Sequence, residues 1–109
     1  MDRPEAALET VRHYEGVAAR LAAQGVKASS MFGMPTLKLD GKALAGLYGD
    51  AMTFKLRDDA LADALRLHGA HLFDPSGMGR PMKAWVVVPV AHAHEWERLA
   101  GLAVAAVDG

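Results

Sequence analysis

Two short apolar runs meet at Asp40-Gly41, and no other feature restricts the fold of this chain as strongly. Thr36-Leu37-Lys38-Leu39 alternates apolar and polar side chains, and Ala43-Leu44-Ala45-Gly46-Leu47-Tyr48 resumes the apolar pattern beyond the dipeptide. A tight hairpin turn needs positive φ at its central residues, which Asp and Gly tolerate, so the segment predicts two antiparallel strands. Gly49-Asp50 offers a second turn before Met52-Thr53-Phe54-Lys55-Leu56. In an extended run, Met52, Phe54 and Leu56 share one face while Thr53 and Lys55 point the other way. The expectation is a three-stranded meander over residues 34–56, with a greasy side that helices must cover and a wet side.

Helical periodicity supplies the cover. From about Pro4 to Gln24, Ala7, Leu8, Val11, Tyr14, Ala18, Leu21 and Ala22 fall on one stripe, with Asp2 as the expected N-cap, Pro4 in the first turn and Gly25 as the stop. Gly16 weakens the middle of that helix unless a neighbouring backbone packs there. A second helix is expected from about Ala60 to His68, capped by Asp58 or Asp59 and ended by Gly69; Leu61, Ala64 and Leu65 turn inward. A third runs from about His92 to Val107, with Trp96, Leu99, Ala100, Ala103 and Val107 facing the core. Between the last two helices, a short strand fits at residues 70–73, and Asp74 to Pro81 reads as loop because of its prolines and glycines. Lys83-Ala84-Trp85-Val86-Val87-Val88 reads as a strand buried on both faces, closed by Pro89. The fold class expected is α+β, an antiparallel sheet (meander 34–56, strand 83–88 and the short strand 70–73) flanked by N-terminal, middle and C-terminal helices.

Length and composition restrict the function classes. A chain of 109 residues suits one domain spanning 1–109, and 51% hydrophobic with 23% charged residues describes a folded rather than a disordered chain. No stretch approaches the ~20 apolar residues of a membrane helix, so no membrane role is expected. Met1-Asp2-Arg3-Pro4-Glu5 lacks the basic and apolar regions of a secretory signal, and there is no cysteine; a cytoplasmic location is expected. The net charge is −1. Lys27, Lys38, Lys42, Lys55 and Arg57 outnumber Asp40 and Asp50 locally, yet few aromatics interleave with them; a solvated strand face accounts for these cations better than a nucleic-acid surface, and the overall charge argues against nucleic acid as a partner of this domain alone.

Motifs that carry chemistry are missing or broken. Seven residues separate Gly33 from Gly41-Lys42, where a phosphate loop has four, and Ala43 stands where Ser or Thr would hold magnesium. Gly77-x-Gly79 is too short for a dinucleotide fingerprint. His68 and His71 straddle the expected helix end at Gly69, while His92 and His94 point to different sides of a helix start, so neither pair reads as metal ligands. No Gly-x-Ser-x-Gly elbow occurs, and Asp58-Asp59 reads as a cap with its neighbour rather than a catalytic dyad. No cofactor, metal or catalytic residue is assigned.

One place invites a ligand or partner. Met31, Met34, Met78 and Met82 sit beside Gly or Pro, where an adaptable apolar side chain serves either a core or a binding surface. In the stretch Gly77 to Lys83, the cations Arg80 and Lys83 flank Met82, and Trp85 lies just beyond; Arg80 has the geometry to grip a carboxylate or phosphate. With Phe32 and Lys55 these residues make the candidate ligand- or partner-binding set: Phe32, Lys55, Arg80, Met82, Lys83 and Trp85. The plainer reading is that the loop only crosses between strands and that Met82 plugs the sheet edge.

The order of a helix, Met31-Phe32-Gly33, the Asp40-Gly41 hairpin, the Lys55-bearing third strand, a helix, Gly79-Arg80-Pro81-Met82 and Trp85-Val86-Val87-Val88-Pro89 resembles the TfoX/Sxy N-terminal domain, over roughly residues 12 to 100. The resemblance implies an α+β fold with an antiparallel sheet and flanking helices. Full-length members of this bacterial family are regulators of natural competence that act with a transcription activator and join this domain to a C-terminal helical one. The motifs are packing and turn positions, so they speak for fold more than activity, and no catalytic residue carries over. The expectation is a stand-alone N-terminal-type domain, non-enzymatic, working through a protein partner or through self-association as a homodimer at free sheet edges. Two other classes remain: a small-molecule or anion-binding protein or uncharacterised enzyme with a pocket near Arg80, and a nucleic-acid accessory protein, which would require a steep salt dependence.

Overall fold

A computed structural model describes residues 6–31, 33–74, 79 and 82–108, the side chain of Asp108 excepted. The elements run α1 (Leu8–Ala22), β1 (Lys27–Met31), β2 (Met34–Leu39), β3 (Lys42–Tyr48), β4 (Ala51–Lys55), α2 (Asp58–Leu65), β5 (His71–Phe73), β6 (Met82–Pro89), a 3₁₀ segment (Val90–Glu95) and α3 (Trp96–Asp108). Six strands form one antiparallel sheet in the order β1-β2-β3-β4-β6-β5. The α+β class, the meander and the interior place of the valine strand are as the sequence predicts.

Asp40 (φ 51°) and Gly41 (φ 78°) both take the left-handed conformation that a two-residue hairpin turn demands, with Leu39 paired to Lys42. A bulge between Leu37 and Lys38 lets Leu44 as well as Ala45 enter the core. All three helices bury their apolar stripes in one cluster: Tyr14, Val17 and Leu21 of α1, Ala64 of α2, and Trp96, Leu99, Ala100 and Ala103 of α3 meet Leu37, Leu47, Met52, Phe54, Val86 and Val88 of the sheet.

The opposite face corrects the expectation of a wet side. Met34, Ala51, Phe73, Trp85 and Val87 form a second buried cluster there, with Met31, Ala43, Tyr48, Met82 and Ala84 packed against it. Thr53, which alternation sets on the expected wet side, is 1% exposed, as is Thr36. Tyr48 meets Phe73 edge-on at 5.1 Å. Alternation gives the side on which a residue lies and carries no information about what else is folded onto that side.

Other boundaries move for identifiable reasons. Strand β1 went unassigned because Lys-Ala-Ser-Ser-Met shows no apolar alternation; it pairs in unbroken register with β2, from Lys27 opposite Lys38 to Met31 opposite Met34. The first helix begins at Leu8 rather than Pro4, and Asp2 and Pro4 lie outside the described residues. Gly25 does end the turn after it, its N–H bonding the Ala22 carbonyl at 3.0 Å. Gly16 faces open space, so no close backbone accounts for it. Helix α2 starts two residues early, with Asp58 and Asp59 inside its first turn and no side-chain cap; it ends at Leu65, leaving His68 exposed. His92 to Glu95 lie in a 3₁₀ segment, with His92 off helical geometry (φ −109°, ψ 26°), so α3 begins only at Trp96. The loop expected at 74–81 falls mostly outside the described residues.

The cap of α1 comes from 43 residues away in sequence. Ala7, at the N-cap position, has no side chain to offer, and its N–H donates to Asp50 Oδ1 at 2.7 Å; the Thr10 hydroxyl donates to the same oxygen at 2.8 Å. The Val90 N–H in turn donates to the Asp50 main-chain carbonyl at 2.9 Å. One turn residue therefore fastens α1, the β3–β4 hairpin and the end of β6. These two hydrogen bonds to the carboxylate, the Ala7 amide first, hold the Asp50 carboxyl below its ordinary range. A depressed carboxyl contributes stability above its unfolded-chain value and loses it as pH falls through the folded one. Asp50→Ala should accordingly lower the urea midpoint at neutral pH, with the gap to the parent narrowing in strongly acidic buffer. An equal gap at both pH values would mean that the charge of Asp50 is irrelevant.

Candidate functional site

Of the sequence-selected site residues, Lys55, Met82, Lys83 and Trp85 are described; Phe32 and Arg80 lie outside the described residues. The β4–β6 register sets Lys55 directly opposite Trp85. Their environments differ: Lys55 is exposed, whereas Trp85 is 6% exposed and packs in the second cluster with Phe73 and Val87. Met82 is half-buried against that same cluster and pairs with Phe73 across an irregularity in the β5–β6 register. Lys83 is exposed. The register brings together the exposed Lys55 and the edge of an apolar cluster, and the indole of Trp85 serves packing rather than presenting a face to solvent.

Several polar side chains are engaged in scaffolding, the sequence-selected His71 and His92 among them. His92 Nε2 donates to the His68 carbonyl at 2.9 Å, tying the 3₁₀ segment to the end of α2. His71 Nδ1 donates to the Gly69 carbonyl at 3.2 Å. His13 packs edge-on against Trp96 at 6.1 Å and lies 3.8 Å from Glu9. Arg98 pairs with Glu95, and this hydrogen bond is the main reason that the Glu95 carboxyl titrates below its ordinary range. Burial pushes the Tyr14 hydroxyl up to about 12. Among the described residues, no three His, Asp or Glu side chains gather as a metal-binding group. None of their helices is long and apolar enough to cross a membrane.

Sequence reasoning missed a second cationic place. Lys27 and Lys38 occupy directly opposed positions on β1 and β2, and with Ser29 they line an open cleft of about 300 Å³ completed by Gly25, Ala28, Asp40 and Gly41. Without a strand at 27–31 the sequence offers no register to juxtapose two lysines eleven positions apart; the one local signal for that strand is Gly33, between the paired Met31 and Met34. The chain matches no family model, no curated protein and no solved structure.

Proposed function

We propose that this chain is an interaction or regulatory domain of the TfoX N-terminal type, non-enzymatic and cytoplasmic, which works through a protein partner or through a second copy of itself. The observation that carries the reading is the contrast between spent chemistry and free backbone. The Asp50 carboxylate, two of the five imidazoles and the buried Trp85 are used to hold the fold, while among the described residues β1 is an edge strand with four of its five residues exposed. An antiparallel sheet with such an edge is suited to strand pairing with another chain. The competence-linked role of the family's two-domain members enters as part of the same proposal.

Sedimentation of the full chain across micromolar concentrations, together with a thermal-stabilisation panel of nucleotides, inorganic phosphate and small carboxylates, tests it. The expected results are a mass that rises above that of one chain or changes with an added protein partner, and no stabilisation by the small molecules. Stabilisation by a small anion that disappears in Arg80→Ala would replace this reading with the alternative, a small-molecule or anion-binding protein or enzyme with its pocket near Arg80.

A further inference from the structure

We propose that the free edge of β1 takes up an extended acidic segment of a partner protein as an added strand, with Lys27 and Lys38 holding one of its carboxylates. The inference rests on the interaction reading above and names its surface and the chemistry of its partner. Strand β1 is bonded to β2 on one side only, and Lys27, Ala28, Ser29 and Ser30 are all exposed. Among the described residues its outward N–H and C=O groups form an unused row of donors and acceptors, and Ala28, Ser29 and Ser30 are small enough to let a second backbone approach. All five residues of β1 keep continuous register with β2, so no bulge interrupts the edge. The opposite edge is a poor template: β5 has three residues and a break in register between Leu72 and Phe73.

The lysine pair selects the partner's charge. Directly opposed residues on adjacent antiparallel strands have Cβ atoms about 4.5–5.5 Å apart, and like charges there repel. Among the described residues neither lysine has a carboxylate within ion-pair distance, although both border the cleft beside Ser29. Asp40 stands on the same rim and opposes a dense anion, which favours a segment with spaced carboxylates. A second copy does not meet this need. Neither Lys-Ala-Ser-Ser-Met nor Met-Pro-Thr-Leu-Lys-Leu contains an acidic residue, so antiparallel pairing of β1 with itself brings no countercharge to the lysines.

The test is a titration of the ¹⁵N-labelled full chain with a blocked hexapeptide of alternating Glu and Val, followed by amide shifts and hydrogen exchange. Controls are the Lys-Val counterpart, two Glu-Val peptides N-methylated at alternate residues in either phase, and inorganic phosphate. The Glu-Val peptide should shift and protect the amides of residues 27–31, the Lys-Val peptide should not bind, and one N-methylated phase should fail while the other binds. Lys27→Gln with Lys38→Gln should weaken Glu-Val binding about tenfold. Binding by both N-methylated peptides, or equal occupancy by phosphate, would reduce the place to a simple anion cleft and overturn strand addition. Concentration-dependent shifts of residues 27–31 without peptide would assign the edge to a second copy. Silent amides at 27–31 alongside a mass change with another protein would overturn this inference and leave the interaction reading standing.

Discussion

Gly46→Ala should destabilise the protein by about 1–3 kcal/mol, and Gly46→Val by more, because overpacking a filled interior forces backbone or rotamer shifts. The residue sits in the middle of β3, opposite Thr36 on one side and Thr53 on the other, on the face away from the helices. A Cβ there would stand 3.1 Å from the Pro35 carbonyl oxygen, 3.1 Å from Thr53 Oγ1 and 3.4 Å from Met34 Cε. Thr53 or Met34 can turn aside, but the Pro35 oxygen belongs to a paired strand and cannot retreat without disturbing the β1–β2–β3 ladder. Gly16→Ala supplies the contrast. That position is exposed on α1 with nothing within 4 Å of an added Cβ, so the same chemical change should stabilise by up to ~1 kcal/mol through helix propensity. Urea unfolding of the two variants should therefore give midpoint shifts of opposite sign. A rise in both midpoints would mean that the second face of the sheet is too loose to resist a methyl group.

The contrast also marks where sequence reasoning reached and where it stopped. Asp40-Gly41 disclosed a hairpin because the signal is local: two residues that tolerate positive φ between two alternating runs. Val86, Val87 and Val88 disclosed an interior strand for the same reason, since a continuous β-branched run leaves neither face for water. The need for Gly46 is not legible in its strand, because its justification, the Pro35 carbonyl, is created by the pairing of β2 with β3. Asp50 was read as a turn residue, and its second task as the cap of α1 depends on a contact spanning 43 positions that no helical pattern announces. Among the candidate site residues, the register explains why Lys55 and Trp85 face one another, while the burial of Trp85 reflects a second cluster that alternation did not foresee. Lys27 and Lys38 were visible as charges and invisible as a pair, because their opposition follows from β1, a strand with polar composition and no periodic signature.

Trp96→Ala is expected to be the most damaging single change, at about 3–5 kcal/mol, the usual range for truncating a large buried aromatic. Trp96 heads the set of fully buried side chains and opens α3 where the 3₁₀ segment ends, so its ring fills the junction between α3, α1 and the sheet. With total stability of a domain this size at about 5–15 kcal/mol, such a loss approaches the unfolding threshold. Trp96→Phe separates the two contributions of the indole. It keeps a ring for the core and for the edge-on contact with His13, and it removes an N–H that has no acceptor among the described residues. Leaving a donor buried without a partner carries a penalty of about 1–3 kcal/mol, which the phenylalanine variant escapes. The Phe variant should thus unfold much closer to the parent than the Ala variant, with Trp85 remaining as the one tryptophan to report by fluorescence. Equal losses for Phe and Ala would show that the indole N–H is satisfied in solution and that its hydrogen bond, rather than the volume of the ring, secures the junction of α3 with the sheet.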